Sequence, residues 1–194
     1  MIMVKYISKR MGYMKKEFVL RSLFVLSSLF CLSTDAQINR YFWGLELGSS
    51  TKESVKAFLS SNGLEYEEGY SGYDAIALTD LRDLGFGGYS WSPVFSFYNN
   101  ILYSVNMTRS NVKIDLSIGE EYEIDIKAIF FDLKEKLSKK YKNYEEVSTD
   151  EPNSLYVVRD NKTVVVMQLM ENRTLFLEYG DRRLAKMAES GNDL

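Results

Sequence analysis

The chain has 194 residues, a formal net charge of −3 and 45% hydrophobic side chains, with one cysteine and no histidine. Without histidine there is no Ser–His triad, and a lone cysteine permits neither an internal disulfide nor nearly any zinc site. The acidic balance gives no electrostatic footing for nucleic acid.

Residues 14–37 read as an export signal. Lys15, Lys16 and Arg21 form the positive n-region, residues 22–32 the apolar h-region, and Ser33 to Ala36 a small-residue cleavage site before Gln37. The apolar run is about half of the roughly 20 residues that cross a bilayer, and it ends in Ser-Thr-Asp. No stable membrane span is therefore expected once residues 1–36 are cleaved. Phe30 precedes Cys31 where a lipobox wants a small side chain, which argues against lipidation. Met14-Lys-Lys makes a better start for such a signal than Met1. The expected location is the periplasm of a bacterium or the medium around it.

Residues 37–194 carry 18 basic and 25 acidic side chains, a net charge of −7, and no cysteine. A thiol nucleophile is thereby excluded from the mature chain. This length suits one domain, spanning 37–189, that buries roughly 68–70% of its unfolded surface. Residues 190–194 are expected to fray.

After a short lead at 41–48, Ser50-Thr-Lys-Glu53 has the spacing of a capping box. Val55, Phe58 and Leu59 follow at helical spacing, and Gly63 stands where a left-handed cap is needed, so a helix is expected over about 51–62. Residues 64–109 read as strands. Asn99-Asn100 is a hairpin tip between Val94–Tyr98 and Leu102–Thr108. Period two puts Phe95 and Phe97 on one face, and Tyr103, Val105 and Met107 on one face of the partner strand.

A second helix, about 125–142, has Ile126, Ile129, Phe130, Leu133, Leu137 and Tyr141 on its apolar face. Its lysines near the end suit the helix dipole. Three strands follow, 154–159, 163–170 and 174–179, with turns at Asp160-Asn-Lys162 and Glu171-Asn-Arg173. Val164-Val-Val-Met167 is apolar on both faces, as in an interior strand. Asp181 is expected to cap a short last helix carrying Leu184, Met187 and Ala188.

The expected fold class is therefore α+β. Two helix-then-antiparallel-strands units, 41–113 and 114–179, form one antiparallel sheet with the helices packed on one face. The hairpins at 94–103 and 166–176 rhyme, with Asn and an apolar restart at the same place, a short match that duplication or chance would each produce.

Gly44-Leu-Glu-Leu-Gly-Ser-Ser-Thr-Lys-Glu-Ser-Val-Lys-Ala-Phe-Leu59 resembles the opening of small exported domains of the β-lactamase-inhibitor-like (BLIP-like) and SmpA/OmlA (BamE) type. Val94-Phe-Ser-Phe-Tyr-Asn-Asn-Ile-Leu-Tyr-Ser-Val105 is similar to the strand pattern that follows there, and Phe131 to Tyr141 to a later helix. The resemblance covers about two-thirds of residues 37–194 and implies protein binding in the cell envelope rather than catalysis. Lipoprotein members need an acylated cysteine, and this chain departs from them there.

Between Tyr66 and Trp91, six aromatics are interleaved with Gly69, Gly72, Gly85, Gly87 and Gly88. Aromatics on glycine-rich loops supply rigid contact area at low entropic cost. Tyr70, Tyr73, Tyr89 and Trp91 are the candidate binding residues, set against the alternative that they are core residues of irregular strands. Glu120, Glu121, Glu123 and Asp125 cluster ahead of the second helix, where acids also favour a helix start. Asn106, Asn161 and Asn172 begin glycosylation-type triplets, a short pattern with many false matches. No phosphate-binding loop precedes a helix. The expectation is a non-enzymatic protein with no catalytic residues, metal or cofactor, contacting a protein partner. A glycan-binding accessory protein using the same aromatics is the alternative.

Overall fold

In the computed structural model the described residues are 37–70, 74–79, 83–115, 120–141, 144–148 and 153–190. The expected export segment, Tyr73 and residues 191–194 lie outside them. The described residues belong to one compact unit.

The chain is α+β, with a mostly antiparallel sheet and three helices among the described residues. In order they are β1 (Tyr41–Phe42), β2 (Leu45–Glu46), α1 (Lys52–Ser61), β3 (Tyr66–Glu68), β4 (Ala75–Leu78), β5 (Leu84–Phe86), β6 (Tyr89–Tyr98) and β7 (Ile101–Ser110). Then follow β8 (Val112–Asp115), β9 (Glu120–Glu123), α2 (Ile126–Lys140), β10 (Tyr144–Ser148), β11 (Ser154–Arg159), β12 (Thr163–Met170), β13 (Thr174–Asp181) and α3 (Arg182–Ser190). The main sheet runs β10-β11-β12-β13-β7-β6-β4-β3, with β5 added on β6. β1–β2 and β8–β9 are separate hairpins. The one long-range join between the two halves of the sheet is β13 against β7, antiparallel like every other pair.

Local chemistry sets these bounds. The expected capping box at Ser50 is displaced by one residue. Ser50 Oγ accepts instead from Glu46 N (2.8 Å), so Thr51 becomes the N-cap, taking Ser54 N at 3.3 Å. Glu53 accepts from the Asn100 side chain at 2.8 Å rather than closing a box. Asp125 caps α2 through Ala128 N (2.9 Å), and α2 ends at Lys140 because Tyr141 is extended, with its ring buried. Asn99-Asn100 and Glu171-Asn172 adopt positive φ at both turn positions, the geometry that matches strand twist in a two-residue hairpin.

One expected core residue is wrong for an identifiable reason. Ser96 pairs with Ser104 but Phe97 pairs with Leu102, which leaves Tyr103 as the extra residue of a β-bulge. The alternation slips there, so Leu102 is buried and Tyr103 is only half-buried.

The register defines two faces. Phe95, Val105, Tyr179, Val165 and Val158 lie in line on one, and Met107, Leu177, Met167 and Tyr156 beside them. These join Val55 and Leu59 of α1 and the buried stripe of α2 in a single core. Ala77, Val94, Asn106 and Glu178 lie on the other face, next to a row with Ala75, Ser96, Ser104 and Gly180. α3 packs there, on β6, β7 and β13, while α2 packs on β12 and β13. Small side chains under α3 let its backbone approach the sheet closely. The expectation of helices on one face is thus corrected: α1 and α2 share the core face, and α3 lies on the opposite one.

The lead segment 38–48 seals the core. Ile38, Phe42, Leu45 and Leu47 are buried. Phe42 meets Tyr179 edge-on at 4.8 Å, and Trp43 stacks on Phe58 at 6.4 Å. Arg40 holds the segment down by an ion pair to Asp181 at 2.6 Å and a hydrogen bond to Thr163 Oγ1 at 2.9 Å. Gly48, at φ +84, passes so close that a Cβ would lie 2.5 Å from Arg40 Nη2 and 2.7 Å from Asp181 Oδ2. Gly48→Ala is therefore expected to destabilise the protein by about 2–4 kcal/mol, combining backbone strain with a displaced ion pair. A lower urea midpoint at unchanged slope would show it, and a midpoint equal to wild type would refute it.

Beneath α3, burial pushes the Glu178 carboxyl above its ordinary range, opposed by the Ser104 hydroxyl (2.9 Å) and reinforced by Glu189. A raised folded-state value favours the protonated form. The stability this contributes is complete below the unfolded value of about 4.3 and is lost as pH rises through the folded one. Glu178→Gln should match wild type in thermal midpoint near pH 4 and exceed it at pH 8. Equal midpoints at both pH values would contradict the assignment.

Candidate functional site

The three described aromatics among those named from sequence, Tyr70, Tyr89 and Trp91, do not form one surface. Trp91 has no exposure, and its Nε1 donates to Phe86 O (2.9 Å) across the β5–β6 hairpin. It is a core residue because it shares the inward alternation of Pro93 and Phe95. This corrects the reading of Trp91 as a contact residue. Tyr70 follows the edge strand β3, two strands from β6, and is half-buried. Burial raises its phenol, with a smaller push from Glu67. Tyr73 lies outside the described residues.

Tyr89 does sit in a built site. It opens β6 directly after the Gly87-Gly88 turn, still on the inward phase but at the half-buried rim of the core. Its hydroxyl donates to Asp132 Oδ2 at 2.6 Å, and Lys136 Nζ meets the same oxygen at 2.6 Å. Lys136 Nζ lies 5.3 Å and Arg109 Cζ 6.0 Å from its ring centroid. Arg109, near the end of β7, donates from Nη1 to Ser90 O (2.5 Å) and Ser90 Oγ (2.7 Å). Tyr122 of the β8–β9 hairpin is 50% exposed.

The electrostatics follow from these contacts. Lys136, and then the Tyr89 hydroxyl, hold Asp132 below the usual carboxylate range. The Asp132 hydrogen bond raises Tyr89, with burial adding to it. Burial lowers the Arg109 guanidinium from its ordinary value, while Tyr122 and Tyr89 oppose that shift.

No family model, curated protein or solved structure matches this chain. The site must therefore be read from its own chemistry.

Next to Lys136 an apolar recess of about 140 Å³ opens between α2 and the sheet. Leu133 and Leu137 form one wall, Leu177 and Tyr179 the floor, and Phe86 and Gly87 the other wall, with Lys136 and Lys140 among the residues around it. A volume near 150 Å³ admits a benzene-sized group. The recess and the Tyr89 cluster share Lys136 and adjoin along α2.

The other sequence candidates resolve into structural roles. Asp125 of the acidic run is the α2 cap, while Glu121 and Glu123 are exposed on β9. Among the described residues no group of three or more acids could hold a metal ion. Asn106 is in the middle of β7, paired with Val94 and Glu178 and with its Oδ1 buried, a poor glycosylation acceptor. Arg109, Tyr122, Asp132 and Lys136 were not singled out from sequence. One signal was present: in Val105-Asn-Met-Thr-Arg109, an arginine occupies the position that alternation assigns to the core.

Two substitutions separate the causes acting on Asp132. Lys136→Met should raise the Asp132 titration midpoint more than Tyr89→Phe does, read from the carboxyl carbon resonance against pH. The reverse order would show that the phenol, rather than the ammonium, dominates.

Proposed function

We propose that this protein is an exported, non-enzymatic binding domain of the bacterial cell envelope that contacts a protein partner through the Tyr89–Tyr122 surface. The observation that carries this reading is the recess of side-chain size beside a cluster of half-exposed Tyr and Arg. Binding energy at protein interfaces concentrates in such residue types around pockets that exclude water. Tyr adds area at little entropic cost, and the recess accepts one apolar anchor from the partner.

Export accords with how the fold begins. Ile38, the second residue after the expected cleavage point, is buried, and its N–H donates to Asp160 Oδ2 at 2.6 Å. The resemblance to BLIP-like and SmpA/OmlA domains, and the tandem units 41–113 and 114–179, belong to the same reading. Each unit carries one helix, α1 or α2, ahead of its long strands, and β7 of the first pairs with β13 of the second. The β8–β9 hairpin straddles the proposed boundary. Burial of Trp91 takes one of the four named aromatics out of a sugar-stacking surface.

The reading is tested by in-cell crosslinking, affinity capture and mass spectrometry, with wild type beside a Tyr89→Ala, Tyr122→Ala double variant. A discrete envelope protein held by wild type and reduced at least about tenfold in the variant is expected, since two such contacts contribute about 1–2 kcal/mol each. Tyr122→Ala alone, at a side chain that is 50% exposed, guards against a folding artefact. Equal capture by all three proteins would remove the surface from consideration.

A further inference from the structure

Arg109 is a half-buried cation whose local accounting is incomplete. Its Nη1 is committed to Ser90, but its Nε is buried with no hydrogen-bond partner. Among the described residues no carboxylate forms an ion pair with it, and the groups that act on it are the two phenols of Tyr122 and Tyr89. Asp132, which shares the Tyr89 contact, is already satisfied by Lys136 and the Tyr89 hydroxyl.

A partly desolvated charge is costly unless a counter-charge and hydrogen bonds offset it. Here the fold holds the guanidinium in place through Ser90 and the Tyr89 ring, yet among the described residues no anion pairs with it. The edge left over, Nε with Nη2, is one of the two that accept a carboxylate bidentately. Nε is covered in the free protein, so full engagement requires Arg109 to turn outward; engagement of Nη2 alone does not.

From this geometry we infer that Arg109 is a receptor for a single carboxylate, carried by an acidic side chain of the partner and flanked by the rings of Tyr89 and Tyr122. The inference rests on the binding reading above and names the chemistry of its contact. The charge balance selects the anion. Residues 37–194 carry −7 overall, which repels multiply charged phosphates and tolerates one carboxylate at a locally positive point. The neighbouring recess takes an apolar side chain, so the recognised segment pairs an acid with an apolar residue.

The test is a nuclear magnetic resonance titration of the labelled protein with Ac-Gly-Glu-Gly-amide, followed at the Arg109 Nε–Hε and Tyr122 amide signals. The controls are Ac-Gly-Gln-Gly-amide, Ac-Gly-Gly-Gly with a free terminal carboxylate, and inorganic phosphate. A saturable shift is expected with the Glu peptide, at millimolar concentration, as suits one charge-assisted contact. The Gln peptide should bind at least about fivefold more weakly. Arg109→Gln should abolish the shift. Arg109→Lys, which keeps the charge and loses the planar edge, should weaken it and serves if the Gln variant does not fold. No shift at Arg109, or equal binding of the Glu and Gln peptides, overturns the inference. Tighter binding of phosphate or of the free terminal carboxylate overturns the assignment to an acidic side chain. A partner captured through Tyr89 and Tyr122 but indifferent to Arg109→Lys defeats this inference alone, whereas no capture and no peptide binding defeats the binding reading as well.

Discussion

The ion pair between Arg40 and Asp181 is the constraint on which the rest of the molecule depends. Its side chains are only 11% and 9% exposed. Arg40 also donates to Leu47 O and to Lys162 O (3.3 Å), and the second oxygen of Asp181 caps α3 through Leu184 N (2.9 Å). One contact thus fixes where the lead segment enters, where β12 starts, and where β13 gives way to α3. Such a pair adds little net stability, because desolvating both charges offsets most of their attraction. Breaking it is expensive, since either partner is then left buried and charged. Its role is to position. The Phe42 and Trp43 rings follow Arg40 into the gap beside α1, and Trp43 Nε1 donates to Gly85 O at 2.8 Å. That bond ties the lead to the β5–β6 hairpin from which Trp91 and Tyr89 emerge.

Much of the fold was legible because its signals are local. Helix α1 is announced by Val55, Phe58, Leu59 and Gly63, and α2 by a continuous apolar stripe that ends in lysines. The Asn-bearing hairpin tips mark turns that need positive φ, and Val164 to Met167 read as interior before any pairing was known. The cap at Ser50 was misread because a tertiary demand, the Glu46 amide, took its hydroxyl. The Tyr103 misplacement has the same character. A bulge changes alternation by one residue, and nothing in the local pattern of Leu102-Tyr-Ser-Val marks where the extra residue goes.

The side of the sheet taken by α3 was illegible for a different reason. Helix α3 follows β13 with no loop, so its direction is set by the Asp181 cap rather than by turn residues. Ala75, Ala77, Ser96, Ser104 and Gly180 are spread over four strands, and only pairing assembles them into a shallow bed. The large side chains of the opposite face dominate any reading by hydrophobicity, which makes the second face look solvent-exposed. Glu178 on β13 strengthens that impression, because a carboxylate at such a position usually faces water.

The site arises where the apolar face of the sheet outruns its helical cover. Along β6 the inward positions run Phe95, Pro93, Trp91, Tyr89, and along β7 they run Val105, Met107, Arg109. Full burial ends at Trp91 and Met107, which have no exposure, while Tyr89 packs against the core only in part. One step further the same phase must accommodate both protein and solvent, and the residues change type accordingly. Tyr offers an apolar ring with a polar tip, and Arg an apolar stem with a charged head. Asp132 and Lys136, on the flank of α2, complete the transition by satisfying the Tyr89 hydroxyl. This explains why sequence singled out Tyr89 and Trp91 together yet only one of them can touch a partner: adjacent inward positions on a single strand lie on opposite sides of the core's edge. It also explains why Arg109 was overlooked. Its meaning resides in its phase, and that phase becomes visible only when β7 is seen to continue past the end of the packed core.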